Sequence, residues 1–456
     1  MGPENAAKPD TKSGQQQPAE QPLGWGSNIE NARLARAAQL ALQRGDHTEA
    51  VGYARRAAQS APNDPQLWFL LGYAARLDGK YTEAVDAYKR GSHLNPASLD
   101  GLSGLGQTYG LMGRTDEAER LLRQAIAGDP RRRDDLLSLG NLNVRSGDYT
   151  GALQWLGRAE SMRPEAQSEL LLAISYEHLD QMAQASRYLE LARSRAPNNP
   201  DVERSLAAFY RDSHDYLKAI EALKSIRNPN PDVVAELAYT YGLAGDFRNS
   251  ARLYVQAANA LPRDLGLQLS AAQAQVANNQ IEVAEPFLQR AAQLDANNYR
   301  LHAIRGDIAK IQDRASDAVR EYVIALAHIP ASPAEGPLYP IQLHMSLEAL
   351  YLSLDEAELA HQQLQIAQAT IGILTAQGMD GAAFLNLRTL IKMNIGELDG
   401  AFADMQKSLA LNPHDPNSLQ LDGDLLMKMA RADEAIIVYL KILDMDPRNR
   451  FALTSL

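Results

Sequence analysis

The residue types that could support catalysis or hold a metal ion are present, but their spacing fits neither role. Nine histidines are spread along the chain, and none belongs to a His-Glu-x-x-His zinc motif. His344 and Glu348 lie four residues apart and could share one helix face, yet no further ligand accompanies them. The sequence therefore predicts no metal site, and we interpret the histidines as solvated helix residues.

Two glycine-containing segments are the remaining candidates for chemistry. The segment 101–106 (GLSGLG) follows no predicted strand, as a dinucleotide-binding loop would, and forms no nucleophile elbow. Gly79 and Lys80 lack the upstream glycine and the following Ser or Thr of a phosphate-binding loop. We interpret these glycines as structural. Because the chain also has no cysteine, thiolate ligands and cysteine nucleophiles are excluded, and the sequence predicts neither a cofactor nor an enzyme.

Composition and charge favour an all-α protein that does not bind nucleic acid. Hydrophobic residues make up 45% of the chain and aromatic residues only 6%. The net charge is −11, and residues 331–456 carry sixteen acidic and eight basic residues, or about −8 of that total. The longest cationic run, 131–133, is followed at once by two aspartates, so nucleic acid is not expected as the main partner. The sequence contains no run of 18 apolar residues, so it predicts no transmembrane segment.

Prolines and small residues each recur with a period of about 34 residues. This period divides the chain into repeated structural units. Pro62, Pro96, Pro130 and Pro164 mark the period, and it continues with small shifts at Pro197, Pro231, Pro262, Pro330, Pro413 and Pro447. A small residue recurs about twenty residues into each unit: Ala50, Ala84, Ala118, Ala152, Ala185, Ala219, Ser250, Ala284, Ala318, Ala360, Ala401 and Ala435.

The positions of these residues have physical explanations in a helical hairpin. A small side chain on the second helix lets it approach the first helix closely, and a proline after the last turn ends the pair. Turn signals such as Asp78-Gly79 and Gly113-Arg114 fall between the helices. The sequence predicts an all-α solenoid of about twelve helix-turn-helix units, starting near Asn31, Pro65, Leu99, Arg133, Ala166, Pro200, Pro231, Leu265, Tyr299, Ile341, Ala382 and Pro416.

These units resemble tetratricopeptide repeats. The second unit carries the family pattern at Trp68, Leu71, Gly72, Ala84, Tyr88 and Pro96. The third carries it at Leu102, Leu105, Gly106, Tyr109, Ala118, Leu122, Ala125 and Pro130. The resemblance implies a right-handed superhelix whose concave groove binds a partner. Arg305, Arg388 and Asp422 depart from the pattern where leucine is usual, so their repeats are expected to pack loosely or to meet polar groups.

The domain organisation predicted from the sequence has four parts. Residues 1–26 read as a disordered Gln/Pro-rich tail, 27–330 as repeats one to nine, 331–340 as a Pro-rich insertion, and 341–456 as repeats ten to twelve plus the start of a further helix. We interpret the insertion as a surface loop, with a hinge or a dedicated contact site as the alternative. The final apolar segment shows no polar cap, which predicts either a fragment of a longer protein or an end that a partner covers.

The resemblance also gives a register for the groove, on the first helix of each repeat. It selects Phe69, Tyr73, Arg76, Gln107, Asn141, Arg145, Arg204, Arg211 and Tyr239, together with Glu177 and His178. This mixed polar and aromatic lining suits an extended peptide or a sugar chain. The chaperone-binding carboxylate clamp, which pairs a lysine with an asparagine, is absent: the only asparagine near its place is Asn141, and Leu137 stands where the lysine would be.

Three functions are compatible with these features. The first is a non-catalytic scaffold for protein–protein interaction or complex assembly. The second is a periplasmic scaffold of a bacterial system that exports a cellulose-like exopolysaccharide, which would place the chain in the bacterial periplasm or cell envelope and give it a polysaccharide partner; a cytoplasmic location is the alternative. The third is the targeting arm of an enzyme whose catalytic domain is absent. The oligomeric state is left open.

Overall fold

The computed structural model describes residues 29–445, 447 and 449–456, and these residues fold into helices with no strand among them. The all-α repeat fold predicted from the sequence is thereby confirmed. The predicted disordered tail, 1–26, lies outside the described residues. The described chain forms two compact units, one ending at Ser213 and one beginning at His214. The sequence analysis placed no boundary there, and its own domain limits stay predictions.

The first unit contains eleven helices in the described residues, with each helix packed against the next. They are α1 (Ile29–Gln43), α2 (His47–Ser60), α3 (Pro65–Leu77), α4 (Tyr81–Leu94), α5 (Leu99–Leu111), α6 (Thr115–Gly128), α7 (Arg133–Ser146), α8 (Tyr149–Met162), α9 (Ala166–Glu177), α10 (Met182–Arg195) and α11 (Pro200–Asp212).

The second unit contains fourteen helices in its described residues. They are α12 (Tyr216–Ser225), α13 (Pro231–Leu243), α14 (Phe247–Ala260), α15 (Leu265–Ala277), α16 (Ile281–Leu294), α17 (Tyr299–Ile311), α18 (Ala315–His328), α19 (Tyr339–Ser353), α20 (Ala357–Ala376), α21 (Ala382–Ile395), α22 (Leu398–Leu411), α23 (Pro416–Lys428), α24 (Ala432–Met445) and α25 (Arg450–Ser455).

The repeat register read from the sequence matches the helix starts. All but two of the predicted unit starts coincide with the first residue of a helix, and the two exceptions, Asn31 and Ile341, lie two residues inside helices that begin at Ile29 and Tyr339. The marker alanines are all buried, at most 2% exposed, and Ser250 is 4% exposed. Small residues therefore occupy the close contacts between paired helices, as the pattern predicted.

The turns inside the helix pairs place one residue in the left-handed region. Gly45, Gly79, Gly113 and Gly147 have φ between 74° and 81°, at the same point of four successive repeats. Glycine carries no Cβ and adopts this conformation at little cost. Ala430 occupies the equivalent turn before α24 with φ 58°, which an alanine adopts only at a steric cost.

The glycines of segment 101–106 make room for an aromatic ring. A Cβ on Gly104 would lie 2.1 Å from Cε1 of Tyr88, and the Tyr88 side chain is only 3% exposed. A Cβ on Gly106 would lie 2.8 Å from Cγ of Leu122. Both glycines permit close packing of α5, which supports the structural interpretation given to this segment.

The Pro-rich insertion, residues 331–340, packs against α17. Glu335 accepts a hydrogen bond from the Tyr299 hydroxyl at 2.7 Å and pairs with Nε of Arg300, also at 2.7 Å. The backbone N–H of Ala334 donates to the same Tyr299 hydroxyl. These contacts hold the segment against α17, and the alternative of a hinge at this segment stays a prediction.

Candidate partner-binding groove

A cavity of about 620 Å³ opens in the first unit, on the side formed by first helices of successive repeats. Phe69, Tyr73 and Arg76 line it from α3, where spacings of four and three residues place them on one helix face. Gln107 lines it from α5. Four residues selected by the sequence register therefore meet at one cavity. Phe69 is only 6% exposed, and the centre of its ring lies 6.4 Å from that of Tyr88.

A smaller cavity of about 110 Å³ adjoins the first one through shared lining residues. Arg76 and Gln107 line both cavities, and Asn141 and Arg145 line the smaller one from α7. We call the lining of these two cavities the unit-1 groove. It brings six of the predicted site residues together across α3, α5 and α7.

Arg76 lies at the junction of the two cavities. Its guanidinium carbon is 5.3 Å from the centre of the Tyr73 ring, within the range of a cation–π contact. Tyr73 itself is 43% exposed. Nε of Arg76 is buried without a hydrogen-bond partner among the described residues. Burial raises the pKa of the neighbouring Tyr88, which keeps that phenol neutral and able to donate.

One wall of the groove is fixed by a buried carboxylate, Asp135, in the first turn of α7. Nε2 of Gln107 donates to its Oδ1 at 2.8 Å, Nε of Arg132 donates to its Oδ2 at 2.7 Å, and the Ser103 hydroxyl also donates to Oδ1. Asp135 is 1% exposed. Arg132 in addition contacts Asp100 at 3.0 Å. Burial disfavours the charge of Arg132, but the bonds to Asp135 and Asp100 outweigh burial and raise its pKa.

The rim of the larger cavity carries two further arginines. Nε of Arg133 donates to the carbonyl oxygen of Arg163 at 3.1 Å, and its Nη2 lies 3.0 Å from Glu165. Met162, 44% exposed, adds apolar surface beside them. The rim is therefore polar and pre-organised, with the exposed apolar side chain of Met162 beside it.

Other residues selected by the sequence lie elsewhere. Arg204 and Arg211 are on α11, outside the lining of the two cavities, with Arg204 exposed and Arg211 half-buried. The ring of His178 stacks on Tyr149, with 4.2 Å between ring centres. Their role in binding stays a prediction.

Tyr239 belongs to a separate pocket in the second unit. This pocket, of about 370 Å³, is lined by Tyr239, Phe247 and Tyr254 among others. Phe247 is 46% and Tyr239 52% exposed. Burial raises the pKa of Tyr254 to about 12. The pocket has three aromatic lining residues, as many as the unit-1 groove.

The sequence analysis missed the groove residues that lie outside the first-helix register. Tyr88 comes from a second helix, and Arg132 and Arg163 stand at helix ends. Ser103 and Asp135 are in first helices but were not selected. The signal that could have indicated Asp135 is its place at the first turn of α7 beside a cationic run, 131–133.

The described residues contain no group of three or more His, Asp or Glu residues placed to hold a metal ion. His344 contacts Oε1 of Gln363 at 2.7 Å, and Glu348 accepts a hydrogen bond from Asn394 at 3.2 Å. Each member of the pair singled out in the sequence thus has its own partner. Among the described helices, none combines the length and the apolar character needed to cross a membrane.

Comparison with family models gives three matches, each to a model described as a tetratricopeptide repeat. They cover residues 36–97, 75–140 and 418–449. The first two include α3, α5 and the start of α7, so they span most of the unit-1 groove.

Curated relatives are distant and longer. Tetratricopeptide repeat protein 37 of Xenopus laevis is 22% identical over 348 residues, covering 72% of this chain and 20% of that protein. A BBSome complex member BBS4 homolog of Drosophila melanogaster is 25% identical over 182 residues, covering 39% of this chain and 33% of that protein. The chain thus spans between a fifth and a third of the length of these two relatives.

Solved structures with a similar fold include yeast Tom70, with a TM-score of 0.43 and 14% identity, covering 93% of this chain and 94% of that one. A tetratricopeptide repeat protein from Parabacteroides merdae has a TM-score of 0.42 and 15% identity, covering 57% of this chain and all of that one.

Proposed function

Because this chain is a tetratricopeptide-repeat protein, we propose that it is a non-catalytic scaffold that holds an extended segment of a protein partner in the unit-1 groove. One observation carries the proposal. Six residues selected by the repeat register, from Phe69 to Arg145, line two adjoining cavities that share Arg76 and Gln107. A continuous groove of this kind can follow a peptide over several side chains.

The chemistry of the groove indicates what such a segment would carry. Tyr73 and Met162 provide exposed apolar contact surface, which suits an aromatic or aliphatic anchor. Gln107 and Arg132 are held by Asp135, so their positions are set before binding and less side-chain entropy is lost. Arg76, stacked on Tyr73, supplies donors for a backbone carbonyl or a carboxylate.

The experiment uses a library of random twelve-residue peptides displayed on phage and panned against the purified chain. The bound peptides are then mapped by hydrogen exchange. We expect slower exchange in α3, α5 and the start of α7, because a seated segment suppresses local opening there. Protection confined to other helices would contradict the proposal.

The export scaffold and the targeting arm stay predictions from the sequence, since no contact or cavity of the described residues favours either over a protein-binding scaffold. The location in a bacterial envelope, or alternatively the cytoplasm, stays a prediction as well. The relatives are several times longer than the stretch they share with this chain, so their assemblies are not transferred to it.

A further inference from the structure

The smaller cavity of the unit-1 groove carries positive charge without a counter-charge. Its volume is about 110 Å³, and two arginines, Arg76 and Arg145, line it together with Gln107, Ser138 and Asn141. The other lining residues are leucines and glycines, so the lining contains no Asp or Glu. In a chain with a net charge of −11, this is a local excess of positive charge. Such an excess attracts an anionic group.

The other three arginines of the unit-1 groove are paired with carboxylates of the chain. The pairs are Arg132 with Asp135 and Asp100, Arg133 with Glu165, and Arg163 with Glu165. Arg76 and Arg145 form no ion pair with any carboxylate among the described residues. The charge that a ligand could neutralise therefore lies at the smaller cavity and not at the rim of the larger one.

Uncharged groups hold both of these arginines in place. The guanidinium of Arg76 lies against the ring of Tyr73, and its Nε is buried. Nη1 of Arg145 donates to the carbonyl oxygen of Gly110 at 3.2 Å. Both arginines are in the last turn of a helix, where the helix dipole supplies only about half a negative charge. Most of each positive charge is thus left for a ligand, on side chains that are already positioned.

The neutral residues of the cavity add a further donor and enough space. Asn141 is half-buried and makes no side-chain hydrogen bond to another described residue, so its amide can donate to a ligand. Ser138 and Gln107 already donate, to the carbonyl oxygen of Asp134 and to Asp135. The cavity has the volume of roughly three to four molecules of liquid water. This is enough for one phosphorus atom with its oxygens.

We infer that the smaller cavity binds the phosphate group of a phosphorylated serine or threonine in the partner segment. A phosphate monoester carries nearly two negative charges at pH 7 and three acceptor oxygens, whereas a carboxylate carries one charge. Two arginines without a counter-charge match the phosphate, and guanidinium groups bind its oxygens through paired hydrogen bonds. Arg76 and Gln107 also line the larger cavity, so the phosphate belongs to the segment that occupies the groove. The inference therefore rests on the proposed function.

The test uses a synthetic library of twelve-residue peptides with random flanks and a fixed central phosphoserine. The library is passed over the immobilised full chain in phosphate-free buffer, and the retained peptides are identified by mass spectrometry. Each is then made with phosphoserine, serine or glutamate at the centre, and the three affinities are measured by titration calorimetry. We expect the phosphoserine form to bind at least about tenfold more tightly than the other two.

Arg145→Gln removes one positive charge from the smaller cavity. It is expected to weaken binding of the phosphoserine form at least about tenfold and to leave the affinity of the serine form unchanged. Retained binding of the serine form also shows that the variant is folded. Arg90→Gln is the matched control, because it removes the same charge from an exposed residue of α4 that lines neither cavity. It is expected to change neither affinity.

Three results would overturn the phosphate site while leaving peptide binding in the groove intact. The first is equal affinity of the phosphoserine form and either of its counterparts. The second is an equal loss of both forms in Arg145→Gln, and the third is an equal effect of Arg145→Gln and Arg90→Gln. A chain that binds neither these peptides nor unphosphorylated ones contradicts the proposed function itself, and the phosphate site falls with it.

Discussion

Arg388 holds Asp404 with two hydrogen bonds, from Nε to Oδ2 at 2.7 Å and from Nη2 to Oδ1 at 2.6 Å. Asp404 is 3% exposed, and its Oδ2 also accepts a hydrogen bond from Nζ of Lys392 at 2.7 Å. Burial disfavours the Asp404 carboxylate, but the two cations outweigh burial and lower its pKa. Arg388 stands where the repeat pattern usually has leucine. The polar group that it contacts belongs to the second helix of the same repeat.

We predict that Arg388→Leu destabilises the second unit by about 3 kcal/mol, because it leaves Asp404 buried with one cation instead of two. The double variant Arg388→Leu, Asp404→Leu should recover most of that loss, since it removes the buried carboxylate as well. Urea unfolding of the two variants and the unaltered chain measures both effects. Equal losses in the single and double variants would contradict the pairing.

Asp422 is the opposite case, a buried carboxylate without an adequate partner. It is 4% exposed, and its Oδ1 has no hydrogen-bond partner in the described chain. Burial raises the pKa of Asp422 to about 6, with Lys441 and Arg431 opposing the shift and Glu434 adding to it. A raised carboxylate pKa means that the folded state prefers the protonated form. The resulting destabilisation sets in as pH rises from about 4 to about 6 and is complete above that range.

We predict that Asp422→Asn is more stable than the unaltered chain at pH 7.5, by up to about 3 kcal/mol, since one pKa unit corresponds to about 1.4 kcal/mol. At pH 4 the two proteins should differ much less, because Asp422 is then protonated in the folded chain and still about half protonated in the unfolded chain. Unfolding at both pH values measures the difference. A stability difference that is the same at pH 4 and 7.5 would show that Asp422 does not titrate in this way.

Gly104→Ala is predicted to destabilise the first unit by about 1–3 kcal/mol, because the new methyl group overlaps the buried ring of Tyr88. Gly157→Ala is the matched control in α8. No atom lies within 4 Å of its Cβ position, so the better helix propensity of alanine should stabilise by about 1 kcal/mol. Thermal unfolding should thus give opposite signs, and a destabilised Gly157→Ala would contradict this account.

Ala430→Gly is predicted to stabilise the last helix pair by about 0.5–1 kcal/mol, because it relieves the left-handed strain at φ 58° and loses only part of that gain to chain entropy. The measurement is the urea midpoint of unfolding. Gly396→Ala, at the equivalent turn one repeat earlier with φ 87°, should shift that midpoint in the opposite direction.

The fold could be read from the sequence because its determinants are local. A proline ends a helix and a buried alanine permits close approach wherever they occur, so period and register follow from residue type alone. The boundary after Ser213 has no comparable marker. The pairing of Arg388 with Asp404 could not be predicted from the sequence either, because it depends on how α21 and α22 are rotated about their axes and not on the repeat period.

The groove was predictable only in part, for the same reason. Register placed Phe69, Tyr73, Arg76 and Gln107 on first-helix faces, and the structure brings them to one cavity. The residue that fixes Gln107, the buried Asp135, is 28 residues further along. Its contribution depends on the packing of α5 against α7, which no single repeat encodes.

The measurement that most directly tests the partner-binding account is titration calorimetry of the panned peptides against two charge reversals in the same repeat. Arg76→Glu alters the junction of the two cavities. Arg90→Glu makes the same charge reversal at an exposed residue of α4 that lines neither cavity. We predict at least about a tenfold loss of affinity for Arg76→Glu and no change for Arg90→Glu. Equal affinities for the two variants would show that the partner does not bind in the unit-1 groove.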